Sequence, residues 1–234
     1  MPRPLVTVVR YPADKGVHPL IVFAHGFTLT PAVYSRLLRV WAEAGFVVAA
    51  PVFPLENANA PGGPTETDLV NEPRDMSVVI DRLLTGPLAG QIDPSKIAVA
   101  GHSDGGVAAL AVAYDRRFRD RRIRAAIVMS GAPLGGMGTF PSDGPALLAV
   151  QGTADRINAP GNTSAYFRLA KRPKFLLWLL GAGHRPPYAD QEPQLGIVER
   201  ATIAFLHSYL EGQPLRTFEE ASRRRGLTRL DAEP

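Results

Sequence analysis

The chain has 234 residues, of which 45% are hydrophobic and 21% are charged, so it can bury one sizeable core and is short for two domains. Its formal net charge of +4 lies in the segment 115–124, which holds six arginines and two aspartates and leaves the rest of the chain neutral. This local charge, without an aromatic-rich basic surface, argues against nucleic-acid binding. The lack of cysteine excludes disulfides, thiolate metal sites and a cysteine nucleophile.

The N-terminal sequence Met1-Pro2-Arg3-Pro4 has none of the apolar core of a signal peptide. No stretch of the chain reaches the roughly 18 apolar residues that a membrane-spanning helix needs. We therefore expect a soluble protein with no membrane span, cytoplasmic as the sequence stands and secreted if a leader has been removed. We expect it to be a monomer or a weak dimer.

Apolar runs with the length of strands alternate with helical patterns along most of the chain. Strands are predicted for the runs at 5–9, 20–23, 46–50, 97–100, 125–129, 146–150 and 175–180. Helices are predicted at 30–45, 73–84, 107–113, 163–170 and 194–210. From residue 20 onward the strands are continuous apolar runs, which is typical of a parallel sheet buried on both faces. The pattern predicts a single α/β domain with a mostly parallel central sheet and helices on both faces.

The segments outside this pattern determine where the domain ends and how open its cleft is. Long connections at 52–72, 130–145 and 185–193 reach the carboxyl edge of the sheet, and none has room for a large cap domain. We therefore expect an open, shallow cleft. We place the catalytic domain at 1–212 and expect 213–234 to be a basic C-terminal tail, either a short helix or disordered.

The stretch Gly101-His102-Ser103-Asp104-Gly105 stands between a predicted strand and a predicted helix. It matches the nucleophile elbow G-x-S-x-G, in which a serine on a sharp strand-to-helix turn presents its hydroxyl above the sheet. Glycines are needed on both sides because a side chain there would collide with the neighbouring strand and helix. Glycine and serine are also common in ordinary turns, so the pentapeptide alone leaves a purely structural role open.

Two further polar residues follow later strands. Asp155 and His184 each come within a few residues of a strand end, in a Gly-x-x-Asp and a Gly-His sequence. Because ligands bind beyond the carboxyl ends of parallel strands, we expect Ser103, Asp155 and His184 to converge at one edge of the sheet. Their order in the chain is that of the α/β-hydrolase fold. Asp143 is a weaker alternative to Asp155, because it lies in a flexible, glycine-rich loop.

With this elbow and chain order, the sequence from about Leu5 to Leu210 resembles the α/β-hydrolase superfamily, which implies a single-domain α/β-hydrolase fold. Within it, four segments are most similar to the dienelactone-hydrolase-like and cutinase-type esterases, including bacterial polyesterases and chlorophyllase-like enzymes. They are His25-Gly26-Phe27-Thr28, the elbow through Gly106, Gly152-Thr153-Ala154-Asp155 and Gly183-His184. The resemblance implies a serine carboxylic-ester hydrolase without a cofactor. It implies that the substrate is an ester, either a small molecule or a polymer. Small or extended esters, including those of the polyester type, are expected.

Each site residue has an expected role in acyl-enzyme chemistry. Ser103 is the nucleophile, because His184 can take its proton and later return it to the leaving alcohol. Asp155 fixes the imidazole tautomer and stabilises the imidazolium. The oxyanion needs two backbone N–H donors, for which Phe27 and Asp104 are the candidates.

The substrate cleft is expected to be less apolar and less aromatic than in polyesterases. Those enzymes tend to have methionine after the nucleophile and an aromatic residue after the next strand, and these positions hold Asp104 and Leu134 here. A carboxylate at a helix N-terminus stabilises the helix by about 0.3–1 kcal/mol, but pointing inward it would oppose an oxyanion. We therefore expect Asp104 to point away from the site. His102 borders the cleft, and we expect His25 and His102 to hydrogen-bond mainly to the backbone.

Other functions stay open on the sequence alone. The same triad can serve an acyltransferase or a cofactor-free haloperoxidase-type enzyme. The fold also occurs in non-catalytic binding proteins, although these usually lack a triad residue. A metal site is not expected, because no H-x-x-x-H or comparable spacing accompanies the histidines.

Overall fold

The computed structural model of the protein describes residues 3–234, which form one eight-stranded sheet covered by helices. The strands are β1 (Thr7–Arg10), β2 (His18–Ala24), β3 (Val47–Pro51), β4 (Ile92–His102), β5 (Ile123–Met129), β6 (Ala146–Gly152), β7 (Lys174–Leu179) and β8 (Thr228–Glu233). The helices are α1 (Ser35–Glu43), α2 (Glu72–Thr85), α3 (Asp104–Tyr114), α4 (Pro160–Leu169), α5 (Pro186–Ala189), α6 (Gln194–Glu211) and α7 (Leu215–Ser222).

The strand order in the sheet is β1-β3-β2-β4-β5-β6-β7-β8, and every neighbouring pair from β3 to β7 is parallel. β1 and β8 are antiparallel strands at the two edges. All residues of β3, β6 and β7 are buried, as continuous apolar runs predict for strands covered on both faces. The predicted α/β fold with a mostly parallel central sheet is therefore confirmed.

Each face of the sheet has its own hydrophobic core. On one face, α1, α6 and α7 pack on the strands, and the buried Trp41 donates from Nε1 to Thr202 Oγ1 at 2.9 Å. On the other face, α2, α3 and α4 bury Ile80, Leu110 and Tyr166 against the strands. Burying each large side chain of this kind contributes roughly 1.5–3 kcal/mol. Because the strands from β3 to β7 are parallel, their carboxyl ends lie at one edge of the sheet.

The segment 213–234 belongs to this domain and is not a separate tail. Phe218 of α7 is fully buried and packs edge-on against Phe175, with 5.0 Å between the ring centroids. Beyond α7, β8 pairs with β7, and Trp178 Nε1 donates to Asp231 Oδ2 at 2.7 Å. The segment thus adds a helix and an edge strand to the fold.

Three connections carry short 3-10 turns. One, over Pro31–Tyr34, precedes α1 within the predicted helix 30–45, and another, over Glu66–Asp68, lies in the long loop between β3 and α2. The third, over Ala89–Gln91, directly precedes β4. In the part of the chain that the structure describes, no helix combines the length and the apolar character required to cross a bilayer.

Candidate active site

Ser103 stands at the sharp turn between β4 and α3. Its φ of +56° and ψ of −122° lie in a region that L residues rarely adopt, a strain of about 1–3 kcal/mol that the surrounding packing must offset. A Cβ added at Gly101 would stand 2.0 Å from the carbonyl oxygen of Gly105, and one at Gly105 would stand 2.2 Å from that of Ala24. Only glycine therefore fits on either side of the serine, as the elbow motif predicts.

Ser103, His184 and Asp155 form a hydrogen-bonded chain at the carboxyl edge of the sheet. His184 Nε2 lies 2.9 Å from Ser103 Oγ, and His184 Nδ1 lies 2.8 Å from Asp155 Oδ2. Because an ionised carboxylate only accepts hydrogen bonds, Nδ1 carries the proton and Nε2 is free to accept from the serine hydroxyl. The ends of β4, β6 and β7 thus bring together the three residues that were expected to converge.

Asp155 is buried, and the hydrogen bonds that it receives favour its ionised form. Its Oδ1 accepts from the N–H groups of Ile157 at 3.0 Å and Asn158 at 2.9 Å, and its Oδ2 accepts from Gln151 Nε2 at 3.1 Å. Burial by itself would raise the pKa of Asp155. Hydrogen bonds from His184 and from the Asn158 N–H, together with the His184 charge, outweigh burial and hold the pKa below its ordinary value.

Asp143, the alternative acid, lies far from the histidine. Its carboxylate pairs with Arg119 at 2.8 Å and with Arg121 at 3.4 Å, both in the arginine-rich connection between α3 and β5. This ion-pair group precedes β5 and β6, so it lies at the end of the sheet opposite Ser103. The geometry therefore favours Asp155 over Asp143 as the partner of His184.

His102 lies beneath the loop of His184. It is only 1% exposed; its Nε2 lies 3.0 Å from the carbonyl oxygen of His184, and its Nδ1 lies 2.7 Å from Tyr34 Oη. A carbonyl only accepts, so Nε2 donates and Nδ1 accepts from the tyrosine. Burial, and then the His184 charge, lowers the pKa of His102 to about 3, so the ring is neutral. His102 also borders the cavity above Ser103, as expected, and its ring bonds the backbone of His184.

The backbone N–H groups of Phe27 and Asp104 are free to bind an oxyanion. Neither has a backbone or side-chain acceptor among residues 3–234. The turn that carries Phe27 lies against the nucleophile, since a Cβ added at Gly26 would stand 3.2 Å from Ser103 Cβ. Two unoccupied donors therefore lie next to Ser103, one in its own helix and one on the facing turn.

The loop after β3 holds the turn 26–28 in place. The Thr28 N–H donates to the carbonyl oxygen of Glu56 at 2.8 Å, and Thr28 has a φ of +58°. His25 Nε2 accepts from the Phe53 N–H at 3.1 Å, and its Nδ1 lies 3.0 Å from the carbonyl oxygen of the next residue. Burial lowers the pKa of His25 to about 4, so the neutral ring donates from Nδ1. His25 thus bonds to the backbone, as expected.

A cavity of about 390 Å³ opens above Ser103. Its wall combines apolar and charged residues: Phe27, Leu29, Glu66, Asp104, Ile157 and Arg185. The half-buried Asp104 contributes to this wall because α3 begins at the cavity floor, which differs from the outward placement that we expected. Burial, with the nearby Glu66 charge adding to it, raises the pKa of Asp104, and His184 acts in the opposite sense.

Leu134 does not line this cavity, which corrects its expected place in the substrate cleft. At the start of the loop after β5, the carbonyl oxygen of Ser130 accepts from Asn158 Nδ2. Farther along, Arg117 Nη2 donates to the carbonyl oxygen of Gly135 at 2.9 Å and draws the loop toward the C-terminal end of α3. Leu134 is carried with it, and the sequence has no local signal for this long-range contact.

Comparison with known proteins points to one family. A family profile described as Chlorophyllase matches residues 1–161, a range that contains Phe27, Ser103 and Asp155 and ends before His184. The chain is 35% identical over 118 residues to chlorophyllase type 0 of Chenopodium album, 28% over 151 residues to chlorophyllase-2 of Arabidopsis thaliana, and 33% over 119 residues to the chloroplastic chlorophyllase-1 of Citrus unshiu. These alignments cover 48%, 62% and 50% of the chain, but only 33%, 45% and 34% of the relatives' own lengths.

Proposed function

The chain belongs to the chlorophyllase family, and on that premise we propose that it is a serine carboxylic-ester hydrolase. We base the proposal on the hydrogen-bonded chain from Asp155 through His184 to Ser103, in which the imidazole Nε2 stands 2.9 Å from the hydroxyl oxygen. A serine on an elbow, a base in contact with it and a buried carboxylate behind the base are the parts that acyl transfer needs.

In the proposed acylation step, Ser103 Oγ bonds to the ester carbonyl carbon while its proton passes to His184 Nε2. The carbonyl oxygen becomes an oxyanion, and the N–H groups of Phe27 and Asp104 donate to it; losing one such donor costs about 3–4 kcal/mol of barrier. The bond to the alcohol oxygen then breaks, and the imidazolium returns the proton to the leaving group. Water attacks the acyl-enzyme by the same route, releases the acid and restores the serine.

The proposed substrates are small or extended esters whose bulk stays outside the cavity. The cavity of about 390 Å³ has room for part of an ester, and charged residues lie on its wall beside apolar ones. The matched relatives are named for action on chlorophyll, so a chlorophyll-type ester is one candidate for this chain. Polyester-type substrates are a second, because a chain end can enter an uncapped cleft.

A series of p-nitrophenyl esters from acetate to palmitate tests the proposal and measures the acyl length that the cavity accepts. We expect hydrolysis by the wild type and its loss in Ser103→Ala. Asp155→Asn should lower kcat by about 10⁴-fold, because the imidazole is held in the wrong tautomer. Asp143→Asn is the matched control and should leave kcat unchanged. A wild type that hydrolyses no ester of the series would contradict the proposal.

A further inference from the structure

Two glutamates next to the turn 26–28 are buried without a donor. Glu56 lies in the loop after β3, and Glu72 is the first residue of α2; both are 0% exposed. No N–H or O–H group of any other described residue donates to their four carboxyl oxygens. A carboxylate in such a place costs several kcal/mol relative to water. The ester-hydrolysis chemistry uses neither group, so their burial needs another explanation.

The two carboxyl groups lie close enough for each to change the proton affinity of the other. Three further acidic side chains lie around them, namely Asp104, Glu66 and Asp68, and of these Asp68 is paired with Arg3. Two like charges in a buried site cannot both remain ionised, so one proton held between the carboxyl groups is the stable arrangement. A metal ion is a poorer fit, since the described residues contain no group of three or more His, Asp or Glu side chains arranged to hold one.

Burial also favours a shared proton, because it raises the proton affinity of both carboxyl groups. Burial, as the largest cause, raises the pKa of Glu56 to about 7 and raises that of Glu72 well above its ordinary value. The neighbouring acidic groups act in the same direction on both. The pair therefore holds its proton to higher pH than two exposed glutamates do.

The backbone of Glu56 connects this pair to the turn that carries Phe27. The carbonyl oxygen of Glu56 accepts from the Thr28 N–H at 2.8 Å, directly after the residue whose N–H is free for an oxyanion. Asn57 Nδ2 donates to the carbonyl oxygen of Phe53 at 2.7 Å, so the segment 53–57 is closed on itself. A shift of the Glu56 side chain is thereby transmitted to Thr28.

We propose that Glu56 and Glu72 are positioning residues, which share one proton and so hold the turn 26–28 in the shape that presents the Phe27 N–H to the oxyanion. The inference rests on the proposed esterase function. When hydroxide removes the shared proton, the two carboxylates repel each other and the Glu56 carbonyl moves away from the Thr28 N–H. Activity then falls without any change in the triad.

A fall in kcat at alkaline pH distinguishes the role of the glutamate pair from that of the triad. His184 acts as a neutral base, so the triad by itself loses activity only on the acid side. Removing one oxyanion donor lowers kcat on the order of 10²–10³-fold, and a loosened turn should lose a part of that, about tenfold. KM should change much less, because the donor binds the transition state better than the substrate.

The test compares the wild type, Glu72→Gln, Glu72→Ala and Asp81→Asn by pH-stat hydrolysis of ethyl butyrate from about pH 6 to 9.5. Glutamine keeps a donor to Glu56 and cannot ionise, so kcat of Glu72→Gln should stay within about twofold from neutral pH to about pH 9.5. The wild type should fall about tenfold above neutral pH, and Asp81→Asn, an exposed carboxylate of the same helix, should fall with it. Glu72→Ala should be low throughout. A wild type without the alkaline fall, or an equal fall in Glu72→Gln, would overturn the proposal.

Hydrogen exchange of the Thr28 amide gives a readout that needs no ester hydrolysis. After correction for the intrinsic rate, protection should be lost between about pH 7 and 9 in the wild type and kept in Glu72→Gln. Equal protection in both proteins at both pH values would overturn the shared-proton role. If this pattern appears while no ester is hydrolysed, the esterase assignment fails and the structural role of the pair stands. A rise in Tm with calcium chloride that Glu72→Gln abolishes would assign the pair to a cation and also overturn the proposal.

Discussion

The imidazole of His102 donates a hydrogen bond from Nε2 to the main-chain carbonyl oxygen of His184, 3.0 Å away, although the two residues are 82 positions apart in the chain. His102 is the last residue of β4 and directly precedes the proposed nucleophile, whereas His184 lies in the loop after β7. A neutral, buried ring therefore sets the distance between the nucleophile and its proposed base.

Replacing His102 with leucine should separate positioning from chemistry. Without the bond to its carbonyl, His184 shifts relative to Ser103, and a displacement near 1 Å costs on the order of 10²-fold in rate. We expect kcat to fall by about that factor while KM stays nearly constant. His207→Gln, on the surface of α6, is the matched control and should leave both constants unchanged. A His102→Leu enzyme with full kcat would contradict this role.

Asp104 should make the cleft sensitive to the charge of the substrate. Its carboxylate is part of the cavity wall, close enough to His184 and Glu66 to interact with both. A unit charge at the edge of a partly buried site acts on a neighbouring charge by about 1.4 kcal/mol, or tenfold. We therefore expect Asp104→Asn to lower, by about tenfold, the ratio of kcat/KM for acetylcholine to that for its neutral isostere, 3,3-dimethylbutyl acetate.

For this comparison Asp143→Asn, at the opposite end of the sheet, is the control and should leave the ratio as it is in the wild type. The neutral ester should be hydrolysed as fast or somewhat faster by Asp104→Asn, because a negative charge near the oxyanion has been removed. An unchanged ratio in Asp104→Asn would show that the carboxylate does not act on the bound substrate.

The nucleophile elbow can be recognised in the sequence because it is a short local pattern. The order of the triad can be recognised because each of its residues lies near the end of a predicted strand. Glycines at 101 and 105 are dictated by contacts of 2.0 and 2.2 Å, and such absolute steric demands leave a short, recognisable motif. The parallel sheet was readable for a similar reason, since strands buried on both faces must be continuously apolar. The sequence favours Asp155 over Asp143 because Asp143 lies in a glycine-rich loop, and the geometry agrees with that preference.

The features that could not be read from the sequence depend on contacts between distant segments. Tyr34, which donates to His102, lies on a short 3-10 turn with no motif of its own. Leu134 follows the right strand, yet a loop held by Arg117 carries it away from the cavity. The carboxyl pair of Glu56 and Glu72 joins the loop after β3 to the start of α2, and nothing in the spacing of the two residues predicts that they lie close together.

The buried carboxyl pair should also appear in the stability of the fold as a function of pH. The folded-state pKa of Glu56 is raised from its ordinary value of 4.5 to about 7, so the folded protein binds more protons than the unfolded chain between these values. The contribution of the protonated Glu56 to the free energy of unfolding is therefore complete below about pH 4.5 and is lost as the pH rises through 7. Urea unfolding should show that the stability difference between wild type and Glu56→Gln shrinks or reverses over this interval.

Asp81→Asn is a suitable control for that series, since its carboxylate is exposed and should give a nearly constant difference from the wild type. A difference between wild type and Glu56→Gln that does not change between about pH 4.5 and 7.5 would contradict the raised pKa.

Phe218 should be a stability residue, even though it lies in a segment that reads as a polar tail. Its ring is fully buried among the aromatic side chains of β7 and α6. Truncating a buried phenylalanine to alanine typically costs about 3–5 kcal/mol, and we expect a loss of that size in the free energy of unfolding of Phe218→Ala. Phe118→Ala, a partly exposed ring beside two arginines, should lose far less. Equal, small losses would mean that α7 is not packed on the sheet in solution.

The most direct test of the account is to trap the acyl-enzyme on Ser103. The protein is treated with a fluorophosphonate, or briefly with p-nitrophenyl acetate and quenched in acid, and the modified residue is found by intact-mass and peptide mass spectrometry. We predict one adduct per chain, located on Ser103, which disappears in Ser103→Ala and forms much more slowly in His184→Ala. A wild type without an adduct, or an adduct that persists in Ser103→Ala, would contradict the central claim that Ser103 is the nucleophile.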